Sequence, residues 1–237
     1  MNTPTENQPP LPIIPPELRR DIPFGNLLEM LLKHPAHLIR GLHDGGAKIG
    51  ARPIVLLSLT AILLLAAYGL VIGAFTGGPQ LLAAPLKFSL GTLLSTLICL
   101  PSLFIFTCLT GANVTLRGLV GVLAAVLSLT ALLLIGFAPV AWVFSQSTES
   151  VVFMGTLHLV FWLVAIGFGL RLLTLLLHTL GIAGKTHLRL WTLIFILVNL
   201  QMSTALRPLI GTATTLLPQE KKFFLAHWLQ NLDPATH

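Results

Sequence analysis

The residues whose types and spacing could do chemistry in this chain are few, and most lie near its end. His158, Asn199, Gln201, Ser203 and Arg207 stand in otherwise apolar stretches. Asn199, Ser203 and Arg207 fall at i, i+4 and i+8, one face of a helix, while Gln201 points almost oppositely. If these stretches are antiparallel membrane spans, His158 lies about seven residues from one interface, roughly 10 Å at 1.5 Å per residue. Asn199, Gln201 and Ser203 then reach a similar depth. Polar groups there are costly against lipid and are expected to meet one another inside a bundle. Two roles fit such a layer. One is interhelical hydrogen-bond glue, typically about 0.6 kcal/mol per contact. The other is a polar pocket or proton-responsive site containing His158. No Asp or Glu lies in the middle of these stretches, which counts against a carboxylate proton relay.

Other motifs carry less. Gly184-Lys185-Thr186 imitates the end of a phosphate loop, but the position five before Gly184 is Thr179 and no strand precedes it. His34, His37 and His43 could approach a metal, yet Pro35 interrupts their helical spacing and no acidic or Cys ligand completes a set. Cys99 and Cys108 are nine residues apart, on nearly opposite sides of a helix, and read as small packing residues. Asn113-Val114-Thr115 matches a glycosylation acceptor but falls on the inner side of the topology derived below. No nucleophile elbow, HExxH or paired carboxylates occur. The expectation is a protein that is not an enzyme, with no metal and no cofactor. Gly69, Gly73 and Gly77 form a double GxxxG register, a flat face suited to helix packing.

The elements that must position these residues follow from composition. Hydrophobic residues make up 54% of 237 and charged ones 9%, where a soluble domain needs about 25% charged. Five of the eight acidic and six of the fourteen basic residues precede residue 53, and residues 54–86 carry no charge. Lipid is the solvent that accommodates such a surface. The formal net charge of +6 therefore sits on loops and helix ends, and no basic groove for nucleic acid is visible.

Residues 1–22, with Pro9, Pro10, Pro12, Pro15 and Pro16, read as an extended Pro-rich tail. Residues 23–52 form an amphipathic interfacial segment. Phe24, Leu27, Leu28, Leu31, Leu32, Leu38, Ile39 and Leu42 follow helical spacing, with a bend or break at Pro35. Residues 53–211 contain five apolar runs, 53–76, 86–109, 118–144, 151–177 and 190–210, each near the 20 residues that cross a bilayer. The first is expected to be a retained span rather than a cleaved leader. Residues 212–237 read as an outer-face tail whose Phe223, Phe224, Leu225, Trp228 and Leu229 form a second interfacial helix. The fold class is all-α: a polytopic membrane protein, a bundle of five transmembrane helices with interfacial amphipathic helices.

With the N-terminus inside, ten Lys and Arg residues fall on the inner side and four (Lys87, Arg207, Lys221, Lys222) on the outer. This places the N-terminus in the cytoplasm and the C-terminus outside. The segment Lys33-His34-Pro35-Ala36-His37-Leu38-Ile39-Arg40, followed by five closely spaced spans, resembles the Yip1-like five-span superfamily. The stretches Leu100–Phe106, Gly136–Trp142 and Gln201–Pro208 are also similar to those of uncharacterised bacterial integral membrane proteins. The resemblance implies a protein of the bacterial plasma (inner) membrane that organises membranes, and it carries no catalytic residues. The expected partners are the lipid bilayer and either a protein partner or a second copy of the chain. The expected function is a non-enzymatic scaffold or assembly partner, with a small transporter or channel built on the polar layer as the alternative.

Overall fold

A computed structural model of the protein describes residues 23–44, 50–111, 114–182 and 185–205. Among them every regular element is helical: α1 (Phe24–Lys33), α2 (Pro35–Asp44), α3 (Arg52–Thr76), α4 (Gln80–Leu109), α5 (Leu116–Ser147), α6 (Val151–Thr179) and α7 (Lys185–Ala205). The Pro-rich tail and the outer-face tail lie outside the described residues.

The break between α1 and α2 falls where proline chemistry requires it. Pro35 has no N–H, and its ring pushes the preceding residue out of the helical region. His34 accordingly sits at φ −136° and ψ 54°. The apolar side of this helical hairpin is buried against the bundle. Leu27, Leu31, Leu38, Ile39 and Leu42 are buried in one apolar cluster with Ile54 and Leu57 of α3, Leu103 of α4, Leu119, Val122 and Val126 of α5 and Leu173, Leu176 and Leu177 of α6. α1 and α2 thus cap the end of the bundle at which α3 and α5 begin.

Four helices, α3 to α6, are long and apolar enough to cross a membrane. α7 has a shorter apolar stretch, Leu188–Met202, and the last part of the expected fifth span, residues 206–210, lies outside the described residues. The other boundaries shift mainly at α4. Residues 77–85 were expected to be a connection, but α4 starts at Gln80 and contains Pro85. Pro79 precedes the helix at φ −61°, already helical. Pro85 is five residues in, where its missing N–H costs the Leu81 carbonyl a partner without ending the helix. Gly77, at φ +70°, ends α3 in a conformation that favours glycine. Thr115 and Ser150 cap α5 and α6, accepting from Gly118 N at 3.1 Å and Phe153 N at 3.3 Å.

The helices stand in the lateral order α6, α5, α3, α4, α7. α5 is the inner one: 72% of its most apolar window is buried, against 39% in α3 and 33% in both α4 and α6. Its small residues allow this closeness, with Gly118, Gly121, Ala124, Ala125, Ser128, Ala131, Ala138 and Ala141 all buried. Ser128 donates across to the Leu57 carbonyl of α3 at 2.7 Å. Because that carbonyl belongs to another helix, the bond ties α5 to α3.

Candidate functional site

The most chemically pointed contact in the bundle joins three helices. Tyr68 of α3 and His158 of α6 meet through the hydroxyl and Nδ1 at 2.8 Å. Their rings are edge-on, 5.5 Å apart at 83°. Phe88 of α4 closes the other side of Tyr68, with centroids 5.7 Å apart. Tyr68 and His158 are 1% and 6% exposed, so both polar groups are taken from water. The level is common to the three helices. Phe88 follows Gln80 by eight positions, Tyr68 precedes Thr76 by eight, and His158 follows Val151 by seven. At 1.5 Å per residue that is roughly 10–12 Å from the helix ends. Lys87, beside Phe88 on α4, is also buried.

Counting partners fixes the tautomer. His158 Nε2 is buried with no hydrogen-bond partner among the described residues. If Tyr68 donates to Nδ1, one group, Nε2–H, is left unsatisfied. If Nδ1–H donates to Tyr68, both the phenolic hydrogen and the Nε2 lone pair are left. Each unmade bond costs about 1–3 kcal/mol when buried, so Tyr68 is the donor.

The expected layer of His158 with Asn199, Gln201, Ser203 and Arg207 is not what the described residues assemble. His158 turns to α3. Asn199 is buried on the opposite flank, and its Nδ2 donates to the Phe195 carbonyl of its own helix at 2.9 Å. Gln201 is half-buried, roughly opposite Asn199 around α7, and Ser203 lies one turn beyond Asn199 by register. Arg207 lies outside the described residues. The separation comes from helix order: α6 and α7 follow each other in the chain, yet α7 packs chiefly on α4. Trp191 fastens that contact, with Nε1 3.1 Å from both the Cys99 carbonyl and Ser102 Oγ. Near the α6–α7 connection, Leu177 and Ile182 join Leu188, Trp191, Leu103 and Phe106 around a small apolar pocket.

The three glycines have different roles. A Cβ on Gly69 would lie 2.5 Å from Pro85 Cα and 3.0 Å from Pro85 N, so Gly69 lets α3 nest against the proline turn of α4. Gly73 is buried, and its carbonyl accepts the Gly77 N–H at 2.9 Å. Gly77 is a helix stop with open space around it. Gly169, which the GxxxG pattern does not mark, is a second close approach: a Cβ there would run into Thr130 Oγ1.

The chain matches no family model, no curated protein and no solved structure. The site must therefore be read from its own residues. Among the described residues no three His, Cys, Asp or Glu gather as a metal set. Cys99 is buried and Cys108 exposed, both as free thiols. Tyr68 and Trp191 are the residues that sequence reasoning passed over. The signal for Tyr68 was its rarity, since it is the chain's one tyrosine and lies within an apolar run.

Proposed function

We propose that this is a non-enzymatic integral membrane protein that acts as a scaffold or assembly partner, with five spans of the Yip1-like kind. In this account it sits in a bacterial inner membrane with its N-terminus in the cytoplasm and its C-terminus outside. The observation that carries the proposal is the filled centre of the bundle. α5 occupies the position a conducting path would need, and its small residues bring α3 close. The capped end supports the same conclusion, because the α1–α2 hairpin is held by buried side chains and still presents Phe24 and Leu32, 48% and 59% exposed. A fixed platform with exposed apolar residues suits contact with another protein or a second copy. Pull-down of the full chain from native membranes, set beside solute flux in proteoliposomes, tests it. A stoichiometric complex without flux is expected; a solitary monomer that conducts a solute overturns it.

One observation favours the alternative, a small transporter or channel. His158 carries an unpartnered buried nitrogen at a junction of three helices. Flux that falls on His158→Ala supports that function, and flux unchanged in the variant removes the site.

A further inference from the structure

One charged residue stands on the outside of a membrane-length helix. Arg171 is exposed, on the side of α6 opposite the buried Leu172, Leu173, Leu176 and Leu177. α6 has 29 residues, roughly 43 Å at 1.5 Å per residue. Centred on a hydrocarbon core of about 30 Å, it projects about 7 Å at each end. Arg171 lies eight residues before Thr179, roughly 12 Å from that end, so its backbone is about 5 Å inside the apolar layer. Side chains on a helix lean toward its N-terminus. Here that lean carries the charge away from the nearer membrane surface. The guanidinium carbon lies 6.0 Å from the ring centroid of Phe168, one turn deeper. The ring face compensates part of the charge. No carboxylate meets Arg171 among the described residues, and the acid of residues 52–205 is Glu149, ahead of α6 at its far end.

The surface around Arg171 has the spacing of a helix–helix seam. Val160, Val164, Gly167, Arg171, Thr174 and His178 alternate steps of four and three, the 3.5-residue repeat along which two helices pack side by side. All six are exposed. Gly167 leaves a notch one turn from Arg171, since a Cβ there would have nothing within 4 Å. Charge decides the occupant. Lipid tails bring no counter-charge to this depth. A second copy inserted in the same direction brings another arginine and no acid to the same level. Ionisable groups inside a membrane pair with one another, and a neighbouring helix with a carboxylate supplies both the packing and the counter-charge.

We propose that this side of α6 is the docking seam for one transmembrane helix of another protein, whose Asp or Glu pairs with Arg171. The proposal rests on the assembly role above and names the chemistry of the partner. The test uses a synthetic leucine–alanine span with a single Glu at the depth of Phe168, matched by peptides with Gln or Lys there. Association with the full chain in phosphatidylcholine liposomes, read by energy transfer, should be about tenfold tighter for the Glu peptide than for the Gln peptide, the scale of a charge-assisted hydrogen bond. Arg171→Gln should remove that difference, and Arg171→Glu should transfer the preference to the Lys peptide. Gly167→Leu, which fills the notch, should weaken binding of the Glu peptide. Equal association of the Glu and Gln peptides overturns the proposal, as does a preference that survives Arg171→Gln. In native membranes a photoreactive side chain at Val164 should give an adduct to a span that contains Asp or Glu, lost in Arg171→Gln. An adduct to a second copy at Val164, or to lipid alone, overturns the proposal. If Val164 labels only lipid while Phe24 or Leu32 still gives a protein adduct, the seam fails and the assembly role stands. If none of the three gives a protein adduct, both fail.

Discussion

Replacing Gly69 by alanine adds one methyl group at the closest backbone approach between α3 and α4. The new Cβ would sit 2.5 Å from Pro85 Cα, where ordinary contact begins at 3.4 Å. The obstruction is backbone and cannot rotate away, and the Ala84 carbonyl at 3.2 Å blocks the same side. The helices must therefore part by about 0.9 Å along that contact. Overpacking of this kind costs about 1–3 kcal/mol. Alanine also gains about 1 kcal/mol over glycine in any helix interior, which would mask part of the loss. Gly136 supplies the correction. It is interior to α5 with nothing within 4 Å of its added Cβ, so Gly136→Ala reports the propensity gain alone. Reversible unfolding of the full chain in bicelles by added SDS should find Gly69→Ala less stable than Gly136→Ala by about 1–3 kcal/mol. Equal stability of the two variants would refute the close α3–α4 contact and the proline turn that Gly69 is said to fit.

Other perturbations follow from the same geometry. Tyr68→Phe strands both nitrogens of His158 and should destabilise by about 1–3 kcal/mol, while adding His158→Phe should recover much of the loss because no buried polar group then remains. Strictly additive losses in that double-mutant cycle would argue against the contact. Trp191→Phe keeps most of the ring packing against Phe195 but loses the Nε1 bonds to α4. A loss of about 1 kcal/mol in the same unfolding assay is expected, and unchanged stability would count against the bonds to α4. On α1, the hydrogen bond and charge of Lys33 hold Glu29 below the usual carboxylate range, and Glu29 holds Lys33 above its own. The contribution of Glu29 is present at neutral pH and lost as pH falls through its lowered value, and that of Lys33 is lost as pH rises through its raised one. The acid limb, read as the thermal midpoint between pH 7 and pH 3, should be small, screened by salt and absent in Glu29→Gln.

How much of this was legible in the sequence depends on which neighbours decide each feature. The four long apolar helices were readable because length and hydropathy are local, and so was the break at Pro35, which acts on the residue before it. Helix order was not. Short connections place α6 beside α7 in the chain, but Trp191 and Asn199 face α4, and nothing local to residues 151–205 announces that. This is why His158 was expected to meet Asn199 and instead meets Tyr68. Gly69 stands out by its spacing to Gly73 and Gly77, whereas Gly169 has Ala165 and Leu173 four residues to either side and no glycine register marks it. Pro85 falls within α4 rather than in the expected 77–85 connection, because this early in the helix its missing N–H leaves only the Leu81 carbonyl without a partner. Arg207 and both tails lie outside the described residues.

Position-resolved photocrosslinking in native membranes tests the assembly role most directly. A photoreactive side chain at Phe24 or Leu32, exposed on the platform of α1, should give a discrete protein adduct, to a partner or to a second copy. The same group at Leu59 or Leu63, on the apolar strip of α3, should label lipid. Lipid labelling alone from all four positions, with a monomeric chain and a solute flux abolished by His158→Ala, would contradict the account.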